Sequence, residues 1–252
     1  MTNKYALTTG ALLLILAMLM ANASTATAQV YELRTYTTMA GKLDNLQRRF
    51  RDHTVAILTK HGMKSVGYWR PLAEQNNTLI YVLEHSSQAA ATLSWQAFLA
   101  DPAWQQVSKE SQLSGRILAQ APESVFMQAA AFSPSYVKPA QPGVFELRTY
   151  RTHADKLSAL NRRFQEHTIA IFNRFGMTSV AYWHPLQQPE ASDTLIYILR
   201  HDSLAAAKTS WAAFLADSQW QQVAAQSQLA GPILRARPES VFMTATDYSA
   251  IQ

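Results

Sequence analysis

The chain has 252 residues, of which 48% are hydrophobic and 15% are charged, and it contains no cysteine. The lack of cysteine excludes disulfides, cysteine-ligated zinc, iron–sulfur clusters, thiol catalysis and a lipid-modified N-terminal cysteine. The formal net charge of +5 comes from dispersed lysines and arginines rather than from a basic run, so we expect no nucleic-acid partner.

Residues 1–28 are predicted to form a secretory signal peptide. Lys4 supplies a positive start, residues 11–20 form an unbroken apolar run, and Ala26-Thr27-Ala28 has the small-x-small pattern of a cleavage site. The alternative is a membrane anchor, but the apolar run is about half the length that spans a bilayer. We expect cleavage after Ala28, export to a periplasm or to the medium, and no membrane association afterwards.

The remaining chain contains one sequence pattern twice. Residues 30–36, VYELRTY, return as residues 144–150, VFELRTY, an offset of 114 (144 minus 30). The second copy gains two residues in a polar loop, and later matches follow an offset of 116, as in Trp95 and Trp211. Self-similarity on this scale indicates one fold used twice. The predicted organisation is a signal peptide over 1–28, a first domain over 29–128, a linker over 129–143 and a second domain over 144–246.

The first copy is predicted to contain four strands and two helical regions. Apolar periodicity, β-branched residues and capping signals distinguish them. In chain order they are a strand over 30–37, a helix over 42–60, strands over 63–70 and 78–85, a helix over 87–100, a second helix from Asp101, and a strand over 123–128. This β-α-β-β-α-β order is the ferredoxin-like plan.

A four-stranded sheet with helices on one face needs a partner on the other face. The second copy is the obvious partner within the chain. We therefore predict an α+β protein in which two tandem ferredoxin-like domains pack sheet to sheet and form a barrel-like core.

Several short motifs resemble the NIPSNAP family. In the first copy they are Tyr31 to Tyr36, His61-Gly62-Met63, Gly67-Tyr68-Trp69, the apolar strand 78–85, and Asp101-Pro102-Ala103-Trp104. The second copy departs from them at Phe175, Ala181 and Ser218. The resemblance implies a dimeric α+β barrel and no established reaction, although the superfamily includes cofactor-independent monooxygenases, haem-degrading oxygenases and isomerases.

The repeated first strand places Glu, Arg and Tyr on alternate positions, and alternate residues of a strand share a face. We expect Tyr31 and Leu33 to pack under the helices and the charged face to point into the barrel. That face either lines a pocket for a small anion or enol, or forms a Glu–Arg bridge that fixes the two copies together. The residues concerned are Glu32, Arg34 and Tyr36 in the first copy and Glu146, Arg148 and Tyr150 in the second.

His53 and His167 follow Phe50 and Phe164 by three residues, on or beside the apolar stripe of the first helix. They are candidate general bases facing a cavity between helix and sheet. The alternative is a histidine at the edge of the core, bonded to a carbonyl or a tyrosine. No histidines show metal-ligand spacing, so no metal is predicted.

Aromatic residues supply further candidates for a ligand site. Tyr68 and Trp69, with Tyr182 and Trp183, alternate across a strand, so one ring of each pair faces the barrel. Core packing is the alternative for these rings, and it is the expectation for the helical tryptophans, which are Trp95, Trp104, Trp211 and Trp220.

Two other repeated pairs carry no predicted role in chemistry. His85 and His201 end a strand beside Glu84 and Arg200, and that charge reversal argues against a shared catalytic role. Ser124 and Ser240 open the last strand of each copy, where capping of the preceding loop explains them.

The resulting prediction is an exported module that binds a small molecule or a protein partner, has no established catalysis or cofactor, and is compatible with homo-oligomers. The first alternative is a cofactor-independent monooxygenase or isomerase acting on a small aromatic or polyketide-like compound. His53 or His167 would be its base, Arg34 or Arg148 would stabilise the anion, and Tyr36 or Tyr150 would donate a proton. Haem binding through an axial histidine is a third hypothesis.

Overall fold

The computed structural model of the protein describes residues 29–73, 77–135 and 141–251. The predicted signal peptide lies outside the described residues, as does part of the predicted linker. No helix of the described part is long and apolar enough to cross a membrane.

Within its described residues, each repeat contains four strands and four α-helical segments. In the first repeat they are β1 (Val30–Thr37), α1 (Leu43–Arg49), α2 (Val55–Lys60), β2 (Lys64–Pro71), β3 (Thr78–His85), α3 (Gln88–Ala100), α4 (Pro102–Glu110) and β4 (Glu123–Ala129). In the second repeat they are β5 (Val144–Arg151), α5 (Leu157–Arg163), α6 (Ile169–Arg174), β6 (Thr178–Pro185), β7 (Thr194–His201), α7 (Leu204–Ala216), α8 (Ser218–Ser227) and β8 (Glu239–Ala245).

The eight strands form one closed antiparallel barrel in the order β1-β3-β2-β8-β5-β7-β6-β4, and β4 pairs with β1 to close it. The repeats join edge to edge through β2–β8 and β4–β6, where Trp69 lies opposite Ala245 and Met127 lies opposite Pro185. The predicted fold, two ferredoxin-like repeats that form an intramolecular α+β barrel, is confirmed.

Apolar side chains fill the barrel interior, and they come from alternate positions of the strands. Its buried members are Leu33, Trp69, Ile80, Val82, Met127, Phe145, Leu147, Val180, Trp183, Ile196, Ile198, Met243 and Ile251. Leu33 therefore points into the barrel and Tyr31 packs against the same cluster. The predicted orientation of the first strand is wrong. A closed interior offers no water to an Arg–Glu pair, so the charged face turns to the helices instead.

Between helices and sheet, each repeat has a second core that is rich in aromatic rings. In the first repeat Tyr36, Phe50, Tyr68 and Tyr81 contact one another with ring centroids 5.2–5.8 Å apart. Tyr150, Phe164, Tyr182 and Tyr197 form the same cluster in the second repeat. These rings fix the distance between the first helix and the sheet.

The first helix of each repeat contains a π turn, at Phe50–Thr54 between α1 and α2 and at Phe164–Thr168 between α5 and α6. In a π turn the backbone hydrogen bonds join residues five apart instead of four. The Thr54 hydroxyl donates to the carbonyl of Arg49 at 3.1 Å. Thr168 donates to the carbonyl of Arg163 at 3.0 Å. A π turn uses more residues than the 3.6 of an α turn, so it changes which side chains face the core.

The segments that follow β4 and β8 cross to the opposite repeat. We call residues 130–133 and 246–249 the straps. The Ser249 hydroxyl accepts from the backbone N–H of Tyr68 at 2.9 Å, and the Ser133 hydroxyl accepts from that of Tyr182 at 2.9 Å. Tyr248 stacks on Phe50 of the first repeat, and Phe132 stacks on Phe164 of the second, both at 6.4 Å. Each strap thus completes the aromatic core of the other repeat.

Candidate functional site

A buried carboxylate organises the polar face of β1. Glu32 is 1% exposed and accepts four hydrogen bonds. Register explains the contacts, because β1 lies between β3 and β4, and Val30 is paired with His85 while Arg34 is paired with Ser124. Both partners are diagonal neighbours of Glu32. The donors are Arg34 Nη1 at 2.5 Å, Ser124 Oγ at 2.6 Å, Trp95 Nε1 at 2.7 Å and His85 Nε2 at 3.0 Å.

This arrangement keeps Glu32 ionised. Burial alone would raise the pKa of its carboxyl group, but the hydrogen bond from His85, the charge of Arg34 and the hydrogen bonds from Ser124 and Trp95 lower the pKa to about 2. All four lone-pair positions of the carboxylate are in use. Glu32 is therefore a fixed anion rather than a group that exchanges protons near neutral pH.

The role of Glu32 is to hold Arg34. The guanidinium of Arg34 lies over the Trp95 ring, with its carbon 4.2 Å from the ring centroid, while Trp95 also donates to Glu32. Burial would lower the pKa of Arg34, but the neighbouring Tyr81, Tyr36 and Glu32 raise it above its usual range. Arg34 is thus a permanently charged group with one fixed orientation.

A second arginine lies in the same region, and it is buried without a carboxylate partner. Arg49, at the end of α1, is 6% exposed and its guanidinium carbon lies 5.1 Å from the Trp104 ring. Its described hydrogen bond is a long one, from Nη1 to the Ser111 hydroxyl at 3.4 Å, and its Nε has no partner among the described residues. Burial lowers the pKa of Arg49, which is the expected sign for a cation without a counter-ion.

Arg34 and Arg49 line one cavity of about 610 Å³ between the helices and the sheet, which we call the first pocket. Its walls include Tyr36, Trp95 and Trp104. Among the described residues that line it there is no Asp, Glu or His. The first pocket therefore combines a buried cation, Arg49, and a partly buried one, Arg34, with an aromatic wall, and the exposed Arg116 also lines it.

The second repeat reproduces this arrangement. Glu146 is fully buried and accepts from Arg148 at 2.5 Å, Ser240 at 2.6 Å, Trp211 at 2.7 Å and His201 at 3.0 Å. Its pKa is lowered to about 2, because the same partners outweigh the effect of burial. Arg163 repeats Arg49, with 6% exposure and a bond to Ser227 at 3.3 Å. Arg148 and Arg163 line a second pocket of about 460 Å³, which also has no Asp, Glu or His among its described lining.

The structure separates the other predicted ligand residues from these pockets. Tyr68 and Tyr182 are fully buried beneath the first helix of each repeat. Trp69 and Trp183 face the barrel interior, where they are 0% and 1% exposed. Of the predicted set, Arg34, Tyr36, Arg148 and Tyr150 line the pockets, and Glu32 and Glu146 orient the arginines.

His53 and His167 do not face a cavity between helix and sheet, and that predicted position is wrong. His53 is exposed and lines an outer groove of about 330 Å³ beside Asp52 and Glu110. The side chain of His167 is 42% exposed, 3.8 Å from Glu166. Each histidine lies inside a π turn, which rotates it away from the apolar stripe. A role as catalytic base stays a prediction.

Sequence reasoning missed four members of each site. His85, Trp95 and Ser124 lie on three other elements, and Arg49 sits in a run of two arginines of which only one is buried. The available signal was that all four recur in the second copy. Within residues 29–73, 77–135 and 141–251, no group of three His, Asp or Glu side chains is placed to hold a metal ion.

Comparison with known proteins gives one family and a set of similar folds. The NIPSNAP family model matches residues 31–134 and 145–250. No curated protein matches the chain. A crystal structure of a NIPSNAP domain protein from Burkholderia xenovorans is 25% identical, with 42% of this chain and 99% of that chain covered and a TM-score of 0.37.

Two solved structures cover most of the chain. A monooxygenase-like protein from Fusobacterium nucleatum is 8% identical over 87% of this chain and 93% of that chain, with a TM-score of 0.57. An anthrone oxidase-like protein is 12% identical over 89% of this chain and 94% of that chain, with a TM-score of 0.56. Both resemble this chain in fold.

Proposed function

The chain belongs to the NIPSNAP family, and on that premise we propose that each of its repeats binds a small organic anion in the pocket between helices and sheet. The anionic group would lie between Arg34 and Arg49 in the first pocket and between Arg148 and Arg163 in the second, while the exposed Arg116 and Arg237 also line the two pockets. The apolar body of the ligand would lie against the tryptophan and phenylalanine rings. The protein is on this proposal a two-site binding module.

One observation carries the proposal, which is that Arg49 and Arg163 are buried without a carboxylate partner among the described residues. An isolated buried cation costs several kcal/mol unless it is paired. A carboxylate in the pocket would supply the missing counter-ion. Arg34 and Arg148 add a second cation with its orientation already fixed, and such preorganised donors give the strongest hydrogen bonds to anions.

The shape of the pockets supports an organic ligand rather than a bare inorganic ion. Their volumes of about 610 and 460 Å³ fall in the range of roughly 300–1,000 Å³ that is typical of ligand sites. Phe98 and Trp104 pack together at 4.5 Å between ring centroids on the wall of the first pocket. Phe214 and Trp220 do so at 4.3 Å in the second.

Binding accounts for the described lining better than base catalysis does. The cofactor-independent monooxygenase or isomerase of our sequence-based alternative needs a group that takes a proton from its substrate. The described lining contains no carboxylate or histidine, and Glu32 already accepts four hydrogen bonds. The pockets also offer no axial histidine for haem among their described lining, and His85 and His201 are buried and bonded to Glu32 and Glu146.

The test compares naphthoate with its neutral isostere naphthylmethanol in titrations followed by tryptophan fluorescence and calorimetry. We expect naphthoate to bind and naphthylmethanol to bind much more weakly. Removal of both unpaired arginines, in the double variant Arg49→Met/Arg163→Met, should weaken naphthoate binding by about tenfold to a hundredfold, the value of a lost charged hydrogen bond.

Arg48→Met/Arg162→Met is the matched control. These arginines are the exposed neighbours of Arg49 and Arg163 in sequence, so the control removes the same net charge from the same helices. Naphthoate binding should be almost unchanged in the control. Equal weakening in both double variants would mean that general surface charge attracts the anion, and the pocket proposal would be wrong.

We also propose that the protein acts outside the cytoplasm. The support is the sequence of residues 1–28, with its positive start, apolar run and Ala-Thr-Ala cleavage pattern. Mass spectrometry of protein from the exported fraction of a bacterial host should give a chain that begins at Gln29. A full-length chain retained with the cells would contradict the proposal.

A further inference from the structure

We infer that the natural ligand is an amphiphilic carboxylate whose apolar chain leaves each pocket past an exposed leucine, Leu99 in the first repeat and Leu215 in the second. This inference rests on the proposed function and names its ligand class, a medium-chain or long-chain fatty acid. A compact aromatic acid would end inside the pocket and leave both leucines in water.

The first pocket has a charged inner end, an aromatic middle part and a rim where Leu99 is exposed together with the polar residues Gln112, Arg116 and Gln120. At its inner end lie the cations Arg49, which is buried, and Arg34, whose side chain is 14% exposed. Rings of Trp95, Phe98 and Trp104 form its middle part. Leu99 lines the same pocket and is 59% exposed, so it belongs to the mouth. An amphiphile has the same order, with a charged head, an apolar body and a tail.

The second pocket has the same order, since Leu215 lines it and is also 59% exposed. A single exposed leucine is ordinary on a protein surface. Here the exposed leucine occurs at the mouth of a cation-bearing pocket in both repeats. An apolar ligand chain would cover both side chains and remove them from water.

The leucine at the mouth of the pocket recurs in both repeats on a helix where other exposed positions differ. Leu93 is 67% exposed on the same helix as Leu99, and the equivalent residue of the second repeat is Thr209. Gln96 has become Ala212. The exposed surface of the helix has therefore changed, while the leucine at the pocket mouth has not.

The test is a chain-length series of hexanoate, octanoate, decanoate and dodecanoate, each below its micelle concentration, with binding measured by calorimetry on the full chain. We expect Kd to fall by about fourfold for each added methylene while the chain still gains contact with protein. That factor corresponds to about 0.8 kcal/mol per buried methylene.

Leu99→Ser/Leu215→Ser should flatten the dependence of Kd on chain length, with the largest loss of affinity for dodecanoate and the smallest for hexanoate. Leu93→Ser is the matched control, because it removes an exposed leucine from the same helix but away from the lining of the pocket. In the control, the slope should equal that of the natural sequence. Circular dichroism checks that each variant is folded.

The outcomes separate this inference from the proposed function. If naphthoate and hexanoate bind but Kd does not fall with chain length, the pocket binds anions and the amphiphile inference is wrong. An unchanged slope in Leu99→Ser/Leu215→Ser would also overturn it, because the tail would then lie elsewhere. If no carboxylate binds at all, the proposed function itself fails.

Discussion

The barrel interior and the pockets are built from the two faces of the same strands. On the inner face of β1, Leu33 lies in a closed core of aliphatic and aromatic side chains. On the outer face, Glu32 and Arg34 form a bonded ion pair beside a cavity. Successive side chains of a strand point to opposite faces. Alternate residues of β1 therefore belong to the apolar core and to the charged site.

The difference shows what decides where a charged pair can lie. The barrel closes on itself through all eight strands, so its interior has no opening between strand edges. The helices cover the outer face only in part, which leaves the arginines of each pocket in contact with solvent or ligand. A charge is tolerated on the outer face because four donors and an opening compensate its burial, and neither exists inside the barrel.

The largest expected effect comes from a substitution in the barrel interior that leaves the pockets unaltered. Trp183 is 1% exposed and packs on Tyr31 with ring centroids 5.7 Å apart. Trp183→Ala leaves a cavity, and we expect the free energy of unfolding in denaturant titrations to fall by about 3–5 kcal/mol. Naphthoate should bind the folded variant with an unchanged Kd. Weaker binding would mean that the ligand enters the barrel, which would remove the distinction between the two faces.

The second test measures how the stability of the protein depends on pH through the buried carboxylates beside the pockets. The pKa of Glu32 is lowered from its ordinary value of 4.5 to about 2 in the folded protein. A lowered pKa gives stability that is present above the unfolded-state value and is lost as pH falls through the folded-state value. We expect each of Glu32 and Glu146 to contribute about 3 kcal/mol that disappears between about pH 4.5 and pH 2.

Glu32→Gln checks this contribution by denaturant titrations at a series of pH values. The variant should be less stable near neutral pH, because Arg34 loses its counter-ion, and its stability should fall less steeply in acid. Glu123→Gln, an exposed carboxylate on β4, is the control and should keep the original slope. A steep slope retained in Glu32→Gln would place the acid sensitivity in other carboxylates.

The smallest expected effect comes from a comparison of Arg49 with Arg34 in the first pocket. Arg49→Met replaces an unpaired buried cation by an apolar side chain of similar length, so we expect the free energy of unfolding to rise by about 1 kcal/mol without ligand. Arg34→Met should lower it instead, because Glu32 would be left buried without its cation. Thermal unfolding with and without naphthoate measures both effects. A loss of stability in Arg49→Met would show that its contacts with Trp104 and Ser111 already satisfy it.

The fold was predictable because its signals are local or repeated. Strand and helix periodicity, the Asp101 cap and the two copies suffice for the β-α-β-β-α-β plan, and a bare sheet face requires a partner. The cap is present, with Asp101 accepting from the N–H of Ala103. Periodicity also divided β1 into the correct two faces.

Which face points inward could not be predicted by alternation, because both choices keep the same pattern. His53 was misplaced because a π turn cannot be distinguished from an α turn by apolar spacing. The Glu32 site draws His85, Trp95 and Ser124 from positions 53, 63 and 92 residues away. Such contacts depend on strand register and helix docking, which no local pattern contains.

The exchanged straps have a consequence for the independence of the two repeats. Since each strap completes the aromatic core of the opposite repeat, one repeat alone would lack part of its own core, whereas two separate copies could supply each other's. The architecture corresponds to a twofold homodimer with both subunits in one chain. Two copies within one chain can differ in sequence, which the subunits of a homodimer cannot. Glu84 pairs with Lys64, while its counterpart Arg200 bonds the carbonyl of Gln141, and the two binding sites are equally free to specialise for different ligands.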